Sequence, residues 1–202
     1  MIKWFYHAGK FITGLLFRFW FNIEFVGAEN QPKEGGYILC CNHRTAVDPL
    51  IIAQKIRNPI CFLSKAELFE NRFIAAVLKA LGAIPVARGS GDMSAINEAV
   101  KLTKEGYVLG IFPEGTRSKT DELLRFKSGA VVIAAQSGGD LLPASIWYSG
   151  RSFRSKVVVR YGKVIPNSQF AIDGISGRQI KAAVGLIKNE VENLLEETKR
   201  CR

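Results

Sequence analysis

Tyr37-Ile38-Leu39-Cys40-Cys41 runs straight into Asn42-His43-Arg44-Thr45-Ala46-Val47-Asp48-Pro49, an apolar run ending in a compact polar block. A short apolar run of this kind reads as a buried central strand. Pro49 then opens a helix to about Ile56, because its fixed φ suits the first helical position, and Asn58-Pro59 closes it. Strand, polar block and helix form one unit of an α/β fold, which carries its chemistry at strand ends. A second unit repeats the pattern. The run Tyr107 to Phe112 leads into Phe112-Pro113-Glu114-Gly115-Thr116-Arg117-Ser118.

Working outward, Ile23 to Gly27, Ile60 to Leu63, Ala83 to Ala87, Leu141 to Tyr148 and Lys156 to Val164 also read as strands. Arg72 to Leu81, Asp92 to Lys104, Ser128 to Ser137 and Arg178 to Lys199 read as helices, with Gly82 and Gly138-Gly139 as stops. Strands alternating with helices predict a single α/β domain over residues 23–202, its central sheet mainly parallel and flanked by helices. With 202 residues, 48% of them hydrophobic, the chain can bury a substantial core.

Residues 1–22 carry a different pattern. At 100° per residue, Trp4, Phe5, Ala8, Phe11, Ile12, Leu15, Leu16 and Phe19 share one broad helical face, while Lys3, His7, Lys10 and Arg18 fall on the other. Between Lys10 and Arg18 the uncharged run is too short for a spanning helix, which needs ~20 residues. An apolar, aromatic face opposite purely basic charges is the pattern of an interfacial membrane anchor; a helix packed on its own domain is the alternative. Phe17 and Phe21 interrupt the polar stripe, which fits a helix that sinks partly into lipid or docks at one end.

The formal charge of +10 implies an acidic partner: nucleic acid, an anionic membrane surface or a phosphorylated substrate. Arg151, Arg154, Lys156, Arg160 and Lys163 form a stretch with no acidic residue, either a solvated strand face or a patch facing lipid or a carrier. Little aromatic interleaving of the stacking kind accompanies the basic stretches, which disfavours nucleic acid. Cys40, Cys41, Cys61 and Cys201 lack zinc or disulfide spacing, so reduced thiols in a reducing compartment are expected.

His43 and Asp48 would lie about 140° apart on a continuous helix, too far round to pair. Pro49 biases Asp48 away from helical dihedrals, so residues 43–48 read as a turn able to fold the carboxylate onto the imidazole. Such a pair would leave one ring nitrogen to take a proton from a hydroxyl. Asp48 before Pro49 is equally an ordinary helix N-cap, and Asn42, Arg44 and Thr45 are equally turn formers. In the second block, Gly110 to Arg117 approaches P-loop spacing, but Thr116 and Arg117 stand where lysine and the hydroxyl belong, so a nucleotide loop is rejected. What is left is a glycine allowing close approach, a hydroxyl and a guanidinium suited to phosphate, with Glu114 placed to orient a substrate hydroxyl or hold Arg117. Lys65 and Arg88 follow predicted strands and would emerge on the same edge, as anion ligands or as plain surface charges. Gly89-Ser90-Gly91 lacks the rest of a dinucleotide fingerprint, and no Gly-x-Ser-x-Gly elbow is present. A thiol acyl-enzyme on Cys40 or Cys41 is a weaker scheme.

These blocks, in order with Gly82-Ala83-Ile84-Pro85-Val86-Ala87-Arg88 and Leu142-Pro143-Ala144, resemble the glycerolipid acyltransferases, most closely those acting on 1-acylglycerol-3-phosphate, over about residues 23–170. Thr45 stands where serine is common, and Ala87 where a polar residue often precedes the arginine. The resemblance implies His43 as general base oriented by Asp48, and Lys65, Arg88 and Arg117 on the glycerol phosphate. Glu114, Gly115 and Thr116 would shape the pocket and Pro143 the acceptor site. It further implies a thioester on coenzyme A or acyl carrier protein as donor, phosphatidic acid as product, no metal or other cofactor, and residence at the cytoplasmic face of a membrane. A non-catalytic basic lipid-binding module is the competing class.

Overall fold

The computed structural model describes residues 3–86, 93–169 and 177–200. Its elements run α1 (Lys3–Trp20), β1 (Asn22–Val26), β2 (Ile38–Cys41), α2 (Asp48–Ala53), β3 (Ile60–Lys65), α3 (Arg72–Ala80), β4 (Ile84–Val86), α4 (Met93–Lys104), β5 (Val108–Ile111), α5 (Gly129–Ser137), β6 (Leu141–Tyr148), β7 (Lys156–Tyr161) and α6 (Gly177–Arg200). The strands form one seven-stranded sheet in the order β1-β7-β6-β2-β5-β3-β4. β6, β2, β5, β3 and β4 are mutually parallel. β7 pairs antiparallel with β6, and β1 runs parallel to β7. Five strands therefore end on one edge, so both polar blocks emerge there.

Helices cover both faces of the sheet, which is why β2 is an unbroken apolar run rather than an alternating one. Ile38 and Cys40 face one core with α4, α5 and α6 residues such as Ala99, Ile133, Ile187 and Val191. Leu39 and Cys41 face the other, with Ile51, Ile52 and Ile56 from the α2 segment. Cys40, Cys41 and Cys61 are free and buried. Burial pushes the Cys40 thiol up to about 12 and also raises that of Cys41, so neither supplies a thiolate nucleophile near neutral pH.

Two boundaries depart from expectation by three residues. α2 stops at Ala53 rather than Ile56, because the chain turns there and drives Ile56 into the core while its carbonyl accepts the Lys10 ammonium at 2.7 Å. β7 ends at Tyr161, where the Gly162 N–H turns onto the Pro143 carbonyl at 2.8 Å.

α1 docks on the domain through Tyr6, Lys10, Thr13 and Phe17, which recur at helical spacing. Tyr6 is buried, with its hydroxyl accepting from the Ile60 N–H at 3.4 Å. Thr13 Oγ1 accepts from Gln54 Nε2 at 3.1 Å, and Phe17 and Phe21 pack against the α2-side core. Lys10 is thus part of the docking seam and not of a solvent-facing stripe. The face turned outward is the apolar one: Trp4, Phe11, Ile12, Leu15, Leu16 and Phe19 are all more than half exposed. Among the described residues no helix is long and apolar enough to cross a membrane.

Candidate active site

β2 delivers the first block to the sheet edge, and Asn42 fixes its exit. The Asn42 side chain donates to the Ile146 carbonyl at 3.0 Å and accepts from the Ile146 N–H at 2.8 Å, extending the β2–β6 ladder by one side-chain rung. The next residues form a tight turn around the Asp48 carboxylate. Oδ2 accepts from the backbone N–H groups of Arg44 at 2.6 Å and Thr45 at 2.8 Å, and meets His43 Nδ1 at 2.8 Å. Oδ1 accepts from Thr45 Oγ1 at 2.5 Å and from the Tyr148 hydroxyl at 2.6 Å. Asp48 therefore opens α2 with its carboxylate turned back onto the block; Val47 is the N-cap residue and makes no side-chain capping bond.

Burial would raise the Asp48 carboxyl, but the hydrogen bonds from His43, Thr45 and Tyr148 outweigh it and hold the group below the usual carboxylate value. An ionised Asp48 is acceptor only, so His43 carries its proton on Nδ1 and presents Nε2 with a lone pair. A depressed folded value contributes stability that is full above the unfolded value and lost as pH falls through the folded one. The stability gap between the wild type and Asp48→Asn should therefore be widest near neutrality and narrow below about pH 4, measured by denaturant titration. A gap independent of pH would show that the charge contributes nothing.

The ring of His43 is seated as well as bonded. It stacks on Phe112 with centroids 4.1 Å apart, and Phe112 stacks in turn on Phe62 at 5.6 Å. The Phe62 ring lies so close over Gly110 in β5 that a β-carbon there would have no room. The first residue of the second block, backed by Phe62 of β3, thus supports the imidazole of the first.

Backbone and side-chain ties join the blocks directly. Glu114 Oε1 accepts from the His43 N–H at 2.7 Å, and Oε2 from the Leu124 N–H at 2.8 Å. The Ser118 N–H donates to the His43 carbonyl at 2.8 Å, and the Arg44 guanidinium pairs with Asp121 at 2.9 Å. Glu114 is buried, and its carboxylate is spent on backbone rather than on Arg117. Burial raises its carboxyl, offset in part by those two N–H donors.

Gly115 has φ 68°, a left-handed conformation that glycine adopts at no steric cost, and a β-carbon here would lie 2.8 Å from Lys127 Nζ. The turn therefore brings the Lys127 ammonium over Gly115, beside exposed Thr116 and Arg117. Lys65, at the end of β3, is exposed on the same edge and pairs with Glu67 at 2.9 Å. Arg88 lies outside the described residues. Pro143 is buried inside β6, in register with Cys40, and not on the exposed edge with Thr116 and Arg117.

Tyr148 and Lys127 were not singled out in the sequence, and Phe112, quoted at the head of the second block, was given no role there. Tyr148 carried a faint signal: Leu142, Ala144, Ile146 and Tyr148 share the α2-side face of β6, and a hydroxyl-tipped ring ends that apolar series at the edge. Burial and the neighbouring Asp48 charge raise the Tyr148 phenol well above its usual value, so it stays a donor.

A histidine with Nδ1 bonded to a carboxylate, beside a turn bearing Arg117 and Lys127, has the chemistry to take a proton from a hydroxyl and to attract an anion. The acyltransferase family model matches residues 22–147, and the chain belongs to that family. It is 37% identical over 143 residues to a 1-acyl-sn-glycerol-3-phosphate acyltransferase of Bacillus subtilis, covering 70% of this chain and 69% of that one. It is 35% identical over 138 residues to the enzyme of the same name from Borreliella burgdorferi, covering 67% and 55% respectively. The crystal structure of the 1-acyl-sn-glycerophosphate (LPA) acyltransferase PlsC from Thermotoga maritima superposes with a TM-score of 0.73 at 25% identity, over 98% of this chain and 79% of that one.

Proposed function

We propose that this protein transfers an acyl group from a thioester of coenzyme A or acyl carrier protein to the sn-2 hydroxyl of 1-acylglycerol-3-phosphate, forming phosphatidic acid for phospholipid synthesis. The observation that carries this reading is the His43–Asp48 pair, held at 2.8 Å and tied by Glu114 to the Gly115–Arg117 turn. His43 Nε2 takes the hydroxyl proton as the acceptor oxygen attacks the thioester carbonyl. The tetrahedral adduct collapses with cleavage of the C–S bond, and the imidazolium returns the proton to the departing sulfur. Asp48 stabilises the imidazolium in between, with Tyr148 and Thr45 keeping its carboxylate in place. The thioester is already activated, so this scheme needs no metal or other cofactor.

The acceptor's phosphate falls to Arg117, whose guanidinium can grip two of its oxygens, with Lys65, Lys127 and Arg88 adding charge. Thr116 offers a hydroxyl to the glycerol, and Gly115 lets the backbone approach it. A lysolipid acceptor resides in a bilayer, and the outward apolar face of α1 suits attachment to that surface, on its cytoplasmic side.

The direct test supplies purified protein with lysophosphatidate and labelled acyl thioesters of several chain lengths on both carriers. Absence of labelled phosphatidate throughout would end this reading. Arg117→Ala should lower kcat/KM about a hundredfold with lysophosphatidate, the loss of a charge-assisted bidentate contact, and far less with a monoacylglycerol lacking phosphate. Equal losses on both acceptors would make Arg117 a structural residue instead.

A further inference from the structure

The turn that follows Tyr148, residues 149–155, is built in a way that the site chemistry does not require. Phe153 at its tip is 53% exposed, with its ring against Phe19 at 5.4 Å and edge-on to Trp20 at 5.7 Å. Arg154 beside it is the one non-glycine residue with positive φ among the described residues, at 64°. Such a conformation persists only where the surroundings over-determine it. Here they do: the Arg154 N–H donates to the Trp20 carbonyl at 2.6 Å, and its guanidinium donates to the Arg18 carbonyl at 3.1 Å. Those carbonyls belong to the last turn of α1, where backbone acceptors lack intrahelical donors and a cation is favoured. Arg154 thus caps α1 and fastens the turn to the helix end.

The consequence of that fastening is a continuous apolar surface. Phe153 extends the outward series Phe11, Leu15 and Phe19 by one more ring, contributed from a point far along the chain. The charges around it differ from those of the neighbouring strand. Lys156 and Arg160 are paired with Glu24 at 2.9 Å and Glu197 at 3.6 Å, whereas Arg151 and Arg154 flank Phe153 in the exposed turn with no acidic residue between Tyr148 and Lys163. An aromatic tip between guanidinium groups, joined to aromatic helix residues, matches the headgroup region of an anionic bilayer in both polarity and charge.

We infer that this turn is a second lipid-contacting element, which enters an anionic membrane interface together with the C-terminal end of α1; the inference rests on the reading that α1 lies on the membrane. A lone helix lying on a bilayer leaves the domain free to roll about the helix axis. A second contact at the helix end removes that freedom. Because the turn begins one residue after the Tyr148 that bonds Asp48, the roll it selects sets the His43 edge against the bilayer. A lipid acceptor then reaches the imidazole without leaving the interface.

The test uses the full chain, with Phe153→Ser and the pair Arg151→Ala/Phe153→Ser, in sedimentation with phosphatidylcholine–phosphatidylglycerol vesicles. Phe153→Ser should lower the partition coefficient about tenfold, the effect of withdrawing one aromatic side chain from an apolar phase. The pair should lower it further in mixed vesicles but not in pure phosphatidylcholine. The unfolding temperature should fall by no more than about 2–4 °C, the loss of the half-exposed ring contacts to Phe19 and Trp20; acylation of a water-soluble short-chain acceptor should match the wild type, and amides of residues 149–155 in the wild type should gain hydrogen-exchange protection when vesicles are added. Wild-type partitioning by both variants, or no added protection of the turn while α1 is protected, would overturn the inference and leave the α1 anchor and the proposed reaction standing. If the wild type itself ignores vesicles, the α1 reading fails with it. A vesicle-free dimer that Phe153→Ser converts to monomer would assign the face to a second copy of the chain instead.

Discussion

His43→Ala is expected to lower acyl transfer at least about a thousandfold, the upper range for removing a general base that also returns the proton to the leaving group. Among the described residues, the groups nearest the ring are poor substitutes. Asp48 is fully buried behind the ring, the phenol of Tyr148 is held as a donor, and Cys40 and Cys41 are buried thiols raised above their usual value. The fold should survive, because Asp48 keeps the donors Arg44 N–H, Thr45 N–H, Thr45 Oγ1 and Tyr148 when the imidazole is removed. Losing the stack on Phe112 and one hydrogen bond should cost about 1–2 kcal/mol. The purified variant should therefore sediment with anionic vesicles like the wild type while forming no phosphatidate above background. That combination separates an enzyme from a lipid-binding module, since a module would not notice the substitution. Retention of a tenth of wild-type turnover would remove His43 from the role of base.

The sheet and its reactive edge were legible because strands covered on both faces leave apolar runs that need no partner to be recognised. Ile38 to Cys41 and Val108 to Ile111 are such runs, and a polar block after each marks a strand end. Local readings failed where a residue's meaning depends on a distant partner. Asp48 could be a helix cap or a histidine partner, and the choice is made by the Tyr148 hydroxyl 100 residues later together with the turn amides. The N-terminal helix showed an aromatic face and an interrupted basic one. Only the positions of Gln54, Ile56 and Ile60 reveal that the interrupted face docks and the aromatic face turns outward. Pro143 lies in a recognisable block, yet pairing with Cys40 places it inside the sheet. Glu114 could be read as orienting a substrate hydroxyl or holding Arg117, because nothing near it in sequence could show that its carboxylate reaches back 71 residues to the His43 backbone.

That placement of Glu114 leads to the second large effect. A carboxylate bridging two backbone N–H groups from different loops holds them at a fixed separation, and one of them belongs to His43, the proposed base. Glu114→Ala leaves the half-buried His43 N–H without its acceptor, at a cost of about 2–3 kcal/mol for a charge-assisted bond. Water can reach the more exposed Leu124 side and offset part of the loss there. The catalytic penalty should be larger than the stability penalty, because a displacement of about 1 Å at the base is enough to cost a hundredfold in rate. Glu114→Gln is the sharper probe, since it keeps shape and one acceptor while turning its amide N–H₂ toward the other donor. If Glu114 clamps the two blocks, Glu114→Gln should lower both the unfolding temperature and kcat, with KM for lysophosphatidate nearly unchanged. If it binds the acceptor's hydroxyl instead, the unfolding temperature should stay put and KM should rise. The structure favours the first outcome, because both oxygens already have backbone donors at 2.7 and 2.8 Å. Both oxygens are thereby directed at backbone, in a buried setting that raises the carboxyl. In the proposed reaction the glutamate between Pro113 and Gly115 then acts by positioning: its two backbone bonds keep His43 in register with the Gly115–Arg117 turn.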